Sequence, residues 1–363
     1  MHRHKDRSVK IYFVGTCFEN PTTGGMIYNA NVANELSKKW NLQKVNYPWD
    51  GYFRGLIFDL KLCLQIFKSL IQGEKIVLIY DESLYQRMPF TLLFGASSGY
   101  VSLVLMCHQL SFHRKHSFFY RALSRLFERI MALNSDRIIS AGEYLTSELY
   151  KLGCRKELIS NAFATCQYPQ ILSLRKDSGT AIFVGSIVES KGVFELIESV
   201  HILQSKYKKK ISVYVIGGSA DKETLSSAKS LVGQYNLGSR IIFLGRCDPK
   251  ELSIYYQISS IFLFPSHSET MGMALIEAMS AGCIPVVFNN SSMSYIVEDG
   301  RSGWVAENLD SDDLAAKLKK CLECGDQDVL KMRVMASLSA HRYVRKWCEV
   351  AYDIETAINK VLN

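Results

Sequence analysis

The segment Phe264-Pro265-Ser266-His267-Ser268-Glu269-Thr270-Met271-Gly272-Met273-Ala274-Leu275-Ile276-Glu277-Ala278-Met279-Ser280-Ala281-Gly282-Cys283-Ile284-Pro285-Val286-Val287 decides the fold. An apolar run ends at Phe264 and a polar loop follows. A helical run then goes from Met273 to Ala281, the chain turns at Gly282, and Ile284 to Val287 form a second apolar strand. Strand, loop, helix, turn and strand make the repeating unit of a parallel α/β sheet. Glu269 stands before the helix and Glu277 on it. Gly272 opens the helix, so the N–H groups from Met271 to Ala274 lack intrahelical acceptors. Free amides beside carboxylates suit a phosphorylated polyhydroxyl ligand: amides hold oxyanions, and carboxylates accept from hydroxyls.

The same alternation runs outward in both directions. Upstream, strands are expected at Thr180–Gly185, Ile211–Ile216, Ile241–Leu244 and Ile261–Phe264, with helices at Val193–Lys206, Lys222–Tyr235 and Pro249–Gln257. Further upstream, strands are expected at Lys10–Gly15, Lys44–Tyr47, Lys75–Tyr80, Val101–Cys107 and Arg137–Ser140. Helices fall between them at Gly25–Lys39, Leu56–Ile71, Phe118–Leu133 and Glu143–Leu152. Between the two sets, Thr165 to Gly179 lacks periodicity and reads as a linker. The pattern predicts two similar α/β domains, 1–170 and 171–344, facing a cleft. In such sheets ligands bind beyond the carboxyl ends of the strands.

Composition agrees. A chain of 363 residues accommodates two domains, and 48% hydrophobic with 21% charged residues excludes disorder and coiled coil. Ten cysteines are scattered, which suits a reducing cytosol rather than a secreted disulfide framework. Cys321 and Cys324 form a lone CxxC without a second ligand pair, so no metal is expected. The charge-free stretch from Met88 to Cys107 is broken by Gly95 to Gly99. It reads as the end of a helix, a turn and a buried strand rather than a membrane span. The net charge of +8 lies wholly in residues 1–170, which carry 21 Lys plus Arg against 13 Asp plus Glu. Arg114, Lys115, Arg121, Arg125, Arg129 and Arg137 interleave with aromatic and aliphatic residues. A basic helical face of this kind is either solvated or meets an anionic membrane surface. No nucleic-acid-binding motif accompanies it.

Three other loops follow expected strands. Gly24-Gly25 opens a helix and lets backbone approach an anion, or simply makes a tight turn. Cys107-His108-Gln109 is a polar triplet at a strand's carboxyl end. In Gly185-Ser186-Ile187-Val188-Glu189-Ser190-Lys191-Gly192, a lysine at a helix mouth can reach a phosphate, but the Walker pattern is absent.

With these residues together, the chain resembles the retaining GT-B glycosyltransferases of the large family four, whose signature is Glu-x7-Glu. Glu269 and Glu277 carry the resemblance. Phe183-Val184-Gly185-Ser186 with Lys191-Gly192, Ser135-Asp136-Arg137, Glu143-Tyr144-Leu145 and Ile159-Ser160-Asn161 support it. The resemblance implies two Rossmann-like domains and a nucleotide-sugar donor held mainly by the second. A C-terminal helix from about 345 to 363 would cross back to the first. It implies that Glu277 accepts from the ribose, Glu269 lies near the donor sugar, and Lys191 neutralises the diphosphate. Ser186, Gly272, Met273, Ala274 and Leu275 would line the donor, with backbone amides around Gly272 and Met273 holding phosphate and sugar oxygens. Gly25 would approach the diphosphate and His108 the transferred sugar. It implies no metal and no cofactor beyond the donor. The basic first domain suggests a lipid-linked or polysaccharide-precursor glycan as acceptor, in the cytoplasm at the membrane's inner face.

Two departures stand out. Ser186 occupies a position where the family has arginine, so a second cation is needed from elsewhere or activity is low. Met271 replaces a common phenylalanine. Competing readings are a non-catalytic GT-B partner, which Ser186 favours, and a nicotinamide oxidoreductase, which lacks its GxGxxG here. A pyridoxal-phosphate phosphorylase shares the architecture, but its Schiff-base lysine has no evident place in this chain.

Overall fold

The computed structural model describes residues 8–21, 23–48, 51–108, 118–163, 176–219 and 222–362. The chain divides into two compact units. Unit 1 is Met1–Ala164 with Lys346–Asn363, and unit 2 is Thr165–Arg345. The linker expected at Thr165–Gly179 lies outside the described residues as far as Arg175. Its end is a strand, with Asp177 opposite Ser259. Arg114, Lys115 and Gln109 also lie outside, as does the side chain of Arg121.

Unit 1 has six parallel strands: β1 (Val9–Gly15), β2 (Asn41–Asn46), β3 (Lys75–Asp81), β4 (Val101–Cys107), β5 (Arg137–Ser140) and β6 (Ile159–Asn161). Their order is β2-β1-β3-β4-β5-β6. Its helices are α1 (Gly24–Leu36), α2 (Tyr52–Ile71), α3 (Pro89–Ser98), α4 (Phe118–Leu133) and α5 (Glu143–Lys151). Strand side chains alternate between two faces. Tyr12, Leu78, Leu103 and Ile138 pack with Leu62 and Ile66 of α2, Leu92 of α3, Met131 of α4 and Leu145 of α5, so these four helices share one face. Asp59 of α2, fully buried, accepts from the backbone N–H of Phe90 (2.8 Å) and Thr91 (3.0 Å), so it caps α3 from a distance. Burial pushes this carboxyl up.

Unit 2 has six parallel strands: β7 (Asp177–Val184), β8 (Ser212–Ile216), β9 (Ile241–Gly245), β10 (Ser259–Phe264), β11 (Ile284–Phe288) and β12 (Trp304–Ala306). Their order is β12-β11-β10-β7-β8-β9, so the order reverses between β7 and β10. Its helices are α6 (Val193–Ser205), α7 (Lys222–Gln234), α8 (Pro249–Ile258), α9 (Met273–Ser280), α10 (Met293–Ile296), α11 (Ser311–Glu323) and α12 (Asp326–His341). Asp248 and Glu251 form a reciprocal capping box at α8, with Pro249 pre-set for its first turn.

The last helix, α13 (Trp347–Leu362), packs within unit 1 against α1 and the β4 to β6 strands. It buries Val350, Ala351, Ile354, Ala357 and Ile358, and Trp347 meets the Tyr28 ring edge-on at 5.7 Å.

The charge-free stretch is α3, a left-handed Gly99 and β4. Among the described residues, no helix is long and apolar enough to cross a membrane. The short strands β6 and β12, three residues each, were not expected from the sequence, because three residues show no periodicity. Burial pushes the thiol of Cys321 up to about 12, and Cys324 donates to the Lys320 carbonyl at 3.2 Å.

Candidate active site

β7 and β10 are parallel neighbours, and strand order reverses between them; Rossmann-like sheets open a crevice at such a point. Two loops leave it. After β7 the chain passes Gly185 and Ser186, makes a 3-10 turn at Glu189–Lys191, and enters α6 at Gly192 with φ 75°. After β10 it runs Pro265 to Gly272 and enters α9. A Cβ on Gly192 would stand 1.8 Å from the Pro265 carbonyl oxygen, so only glycine lets the loops approach this closely. The contact is tied by His267 N–H donating to the Ser190 carbonyl at 2.9 Å.

That approach brings Lys191 onto Glu269. The Lys191 ammonium pairs with Glu269 Oε1, and the Ser266 hydroxyl lies 3.1 Å from the same oxygen. Glu269 N–H donates to the Ser291 hydroxyl at 2.9 Å, and its carbonyl accepts from Ser292 N–H at 3.1 Å. The carboxylate is thus held on both sides of its own backbone. Both side chains keep some exposure, 28% for Lys191 and 13% for Glu269, so a ligand can reach them.

Glu277 lies on α9 and is buried. The hydroxyl of Tyr256, itself fully buried in α8, donates to Glu277 Oε2 at 3.1 Å. This orients a carboxylate with capacity for further hydroxyl donors. Met273 and Ala274 are the first residues of α9, where amides lack helical acceptors. Leu275 is different. Its N–H already donates to the Gly272 carbonyl at 2.8 Å and its side chain is fully buried, so it offers neither group to a ligand.

Ser186 sits beside a second glycine pair. Ile187 N–H donates to the Gly218 carbonyl at 2.9 Å, at the end of β8. Arg246, just past β9, lies across this turn: a Cβ on Gly218 would stand 2.3 Å from Arg246 Nε. Arg246 is exposed, and among the described residues it has no ion-pair partner.

Unit 1 carries its own polar cluster past β3 and β4. The ring of His108 packs against Gly25, with a Cβ there 3.7 Å from the imidazole. Asn29 of α1 donates its amide to Asp81 Oδ2 at 2.7 Å, which leaves Asn29 Oδ1 to accept from His108 Nε2 at 2.8 Å. His108 N–H donates to Glu82 Oε2 at 2.9 Å. Burial lowers the imidazole's affinity for a proton, and the Asp81 charge only partly opposes this. Asp81, Glu82 and His108 each have a ligand atom within 4.8 Å of the others, but all three already bond within the protein.

Sequence reasoning missed Asn29, Asp81, Tyr256, Ser266, Ser291 and Arg246. Asp81 closes an apolar strand and was open to the argument that singled out His108. Ser266 stands three residues before Glu269, inside the segment that decides the fold, but a serine in a polar loop carries no signal of its own. Asn29, Tyr256, Ser291 and Arg246 meet their partners from distant positions in the chain, which spacing does not reveal.

Residues 167–337 match the family model described as glycosyl transferases group 1. This chain carries a glycosyl transferases group 1 domain. The chain is 27% identical to an uncharacterized glycosyltransferase of Methanocaldococcus jannaschii, over 75% of this chain and 73% of that one. It is 30% identical to the alpha-monoglucosyldiacylglycerol synthase of Acholeplasma laidlawii, over 36% of this chain and 32% of that protein. Among solved structures, Anabaena HepE in complex with UDP and glucose superposes with a TM-score of 0.69 at 14% identity. That match covers 97% of this chain and all of HepE. The fold is GT-B, built of two Rossmann-like units.

Proposed function

We propose that this glycosyltransferase moves a sugar from a nucleotide-sugar donor to an acceptor hydroxyl, retaining anomeric configuration and using no metal. The observation that carries the reading is the Lys191–Glu269 pair at the strand-order reversal, with Glu277 held by Tyr256 farther along α9. Glu277 takes the ribose hydroxyls and Glu269 the donor sugar. An ammonium has three N–H groups, so Lys191 can keep Glu269 and also meet the diphosphate. The amides of Met273 and Ala274 meet oxyanions at the positive end of α9. His108 and Gly25 of unit 1 serve the transferred sugar and the diphosphate.

The bond between the anomeric carbon and the diphosphate oxygen breaks, and charge grows on the leaving group. The fixed cations and amides stabilise that charge. The acceptor oxygen bonds to the carbon from the departing face, and its proton passes to the leaving phosphate oxygen. The glutamates therefore do not act as a glycosidase acid and base. Arg246 supplies the cation that Ser186 does not, since both flank the Gly217–Gly218 turn.

The acceptor is a lipid-linked or polysaccharide-precursor glycan at the cytosolic membrane face. The charge excess of residues 1–170 and the lipid product named for the Acholeplasma relative support this.

Thermal unfolding with UDP-, GDP- and ADP-sugars in chelator tests the donor site. A donor at 100 times its dissociation constant stabilises by about 2.7 kcal/mol. One base should raise the midpoint by several degrees, and Glu277→Ala and Lys191→Ala should abolish the rise. No rise with any donor would favour a non-catalytic protein.

A further inference from the structure

The outer surface of unit 1 carries an apolar stripe. Phe53, Ile57, Leu60, Leu64, Phe67 and Ile71 of α2 recur at three- and four-residue spacing and are between 45% and 76% exposed. The opposite side of α2 buries Leu62 and Ile66 in the core, so the helix is apolar on both sides. Phe90 and Leu93 of neighbouring α3 extend the exposed surface. A surface helix of a free-standing protein normally turns polar residues outward, and a contiguous apolar patch marks an interaction site.

Charge identifies the occupant. The exposed charged residues of α2 are Arg54, Lys61 and Lys68. Its one acid, Asp59, is buried under the start of α3, and α3 has no charged residue. On the same face of the sheet, α4 adds exposed Arg125 and Arg129, while its one acid, Glu128, is half-buried. A second copy across a two-fold axis would set like charges on this stripe against each other. A bilayer with anionic headgroups meets both features, taking the apolar side chains at the acyl boundary and pairing the cations with phosphates.

We propose that the α2–α3 face of unit 1 is a docking surface for an anionic bilayer. The inference rests on the membrane-side acceptor reading for the nature of its partner and replaces the arginine face of α4 as the principal contact. Binding is measured without turnover, so the two ideas fail separately. The full chain is sedimented at low salt with vesicles of phosphatidylglycerol and phosphatidylcholine, or of phosphatidylcholine alone. The wild type should pellet with the anionic vesicles. Leu64→Glu with Ile71→Glu, and separately Lys61→Glu with Lys68→Glu, should each weaken partitioning by about tenfold or more. An unchanged donor-induced melting shift shows that both variants are folded. Wild type that stays in the supernatant overturns the proposal. So does a stripe variant that pellets like wild type, or a wild-type dimer that the stripe variant dissolves without any vesicle binding.

Discussion

Lys191 is the cation nearest Glu269, and the proposed chemistry concentrates on its ammonium. Lys191→Ala should lower kcat/KM about 10²- to 10³-fold, the scale for removing one preorganised group from a developing oxyanion, while Lys191→Arg recovers part of it. Steady-state kinetics with the matched donor decide this. Arg246→Ala should weaken donor turnover by about tenfold or more, as expected for a charged hydrogen bond. Ser186→Arg in the same chain should restore it. If Arg246→Ala is neutral, the second cation lies elsewhere. His108 is held neutral by burial, below its ordinary value. The unfolded chain therefore binds more protons than the folded one between the lowered native value and about 6.5. Stability contributed by His108 should fall as pH drops through that window, and urea midpoints of His108→Gln should fall less steeply there than wild type.

At the scale of elements, the sequence was informative where the signal was local. The run from Phe264 to Val287 disclosed β10, α9 and β11 because apolar period, opening glycine and turn all lie within it. Lys191 and Glu269 were each legible from their loops. Their pairing was not, since it depends on Gly192 pressing against Pro265 from another part of the chain. Nor was the fate of the Leu275 amide legible: a position in the first helical turn does not ensure a free N–H when the chain tightens onto Gly272. Asp59 gives a stability test. Asp59→Ala leaves the N–H groups of Phe90 and Thr91 without their acceptor, which should cost about 1–3 kcal/mol per stranded group. Urea unfolding would record the loss, and Asp59→Asn should recover part of it.

For the whole molecule, α13 is the element farthest in sequence from the strands it covers. Its docking within unit 1 is hydrophobic, with Lys39 and Glu355 adding a surface ion pair at 2.9 Å. Truncation after Arg345 should expose Tyr28 and its neighbours and unfold unit 1, read as loss of one melting transition while that of unit 2 persists. Two melting transitions unchanged by the truncation would show that unit 1 folds without α13. The proposed transfer is retaining and metal-independent, with Lys191, Glu269 and Glu277 at its centre. The most direct test is proton NMR of the anomeric signal during turnover of the matched donor in chelator. The account predicts a product with the donor's anomeric configuration, formed about 10²-fold or more slowly by Lys191→Ala. An inverted product, or turnover that requires added metal, would contradict it.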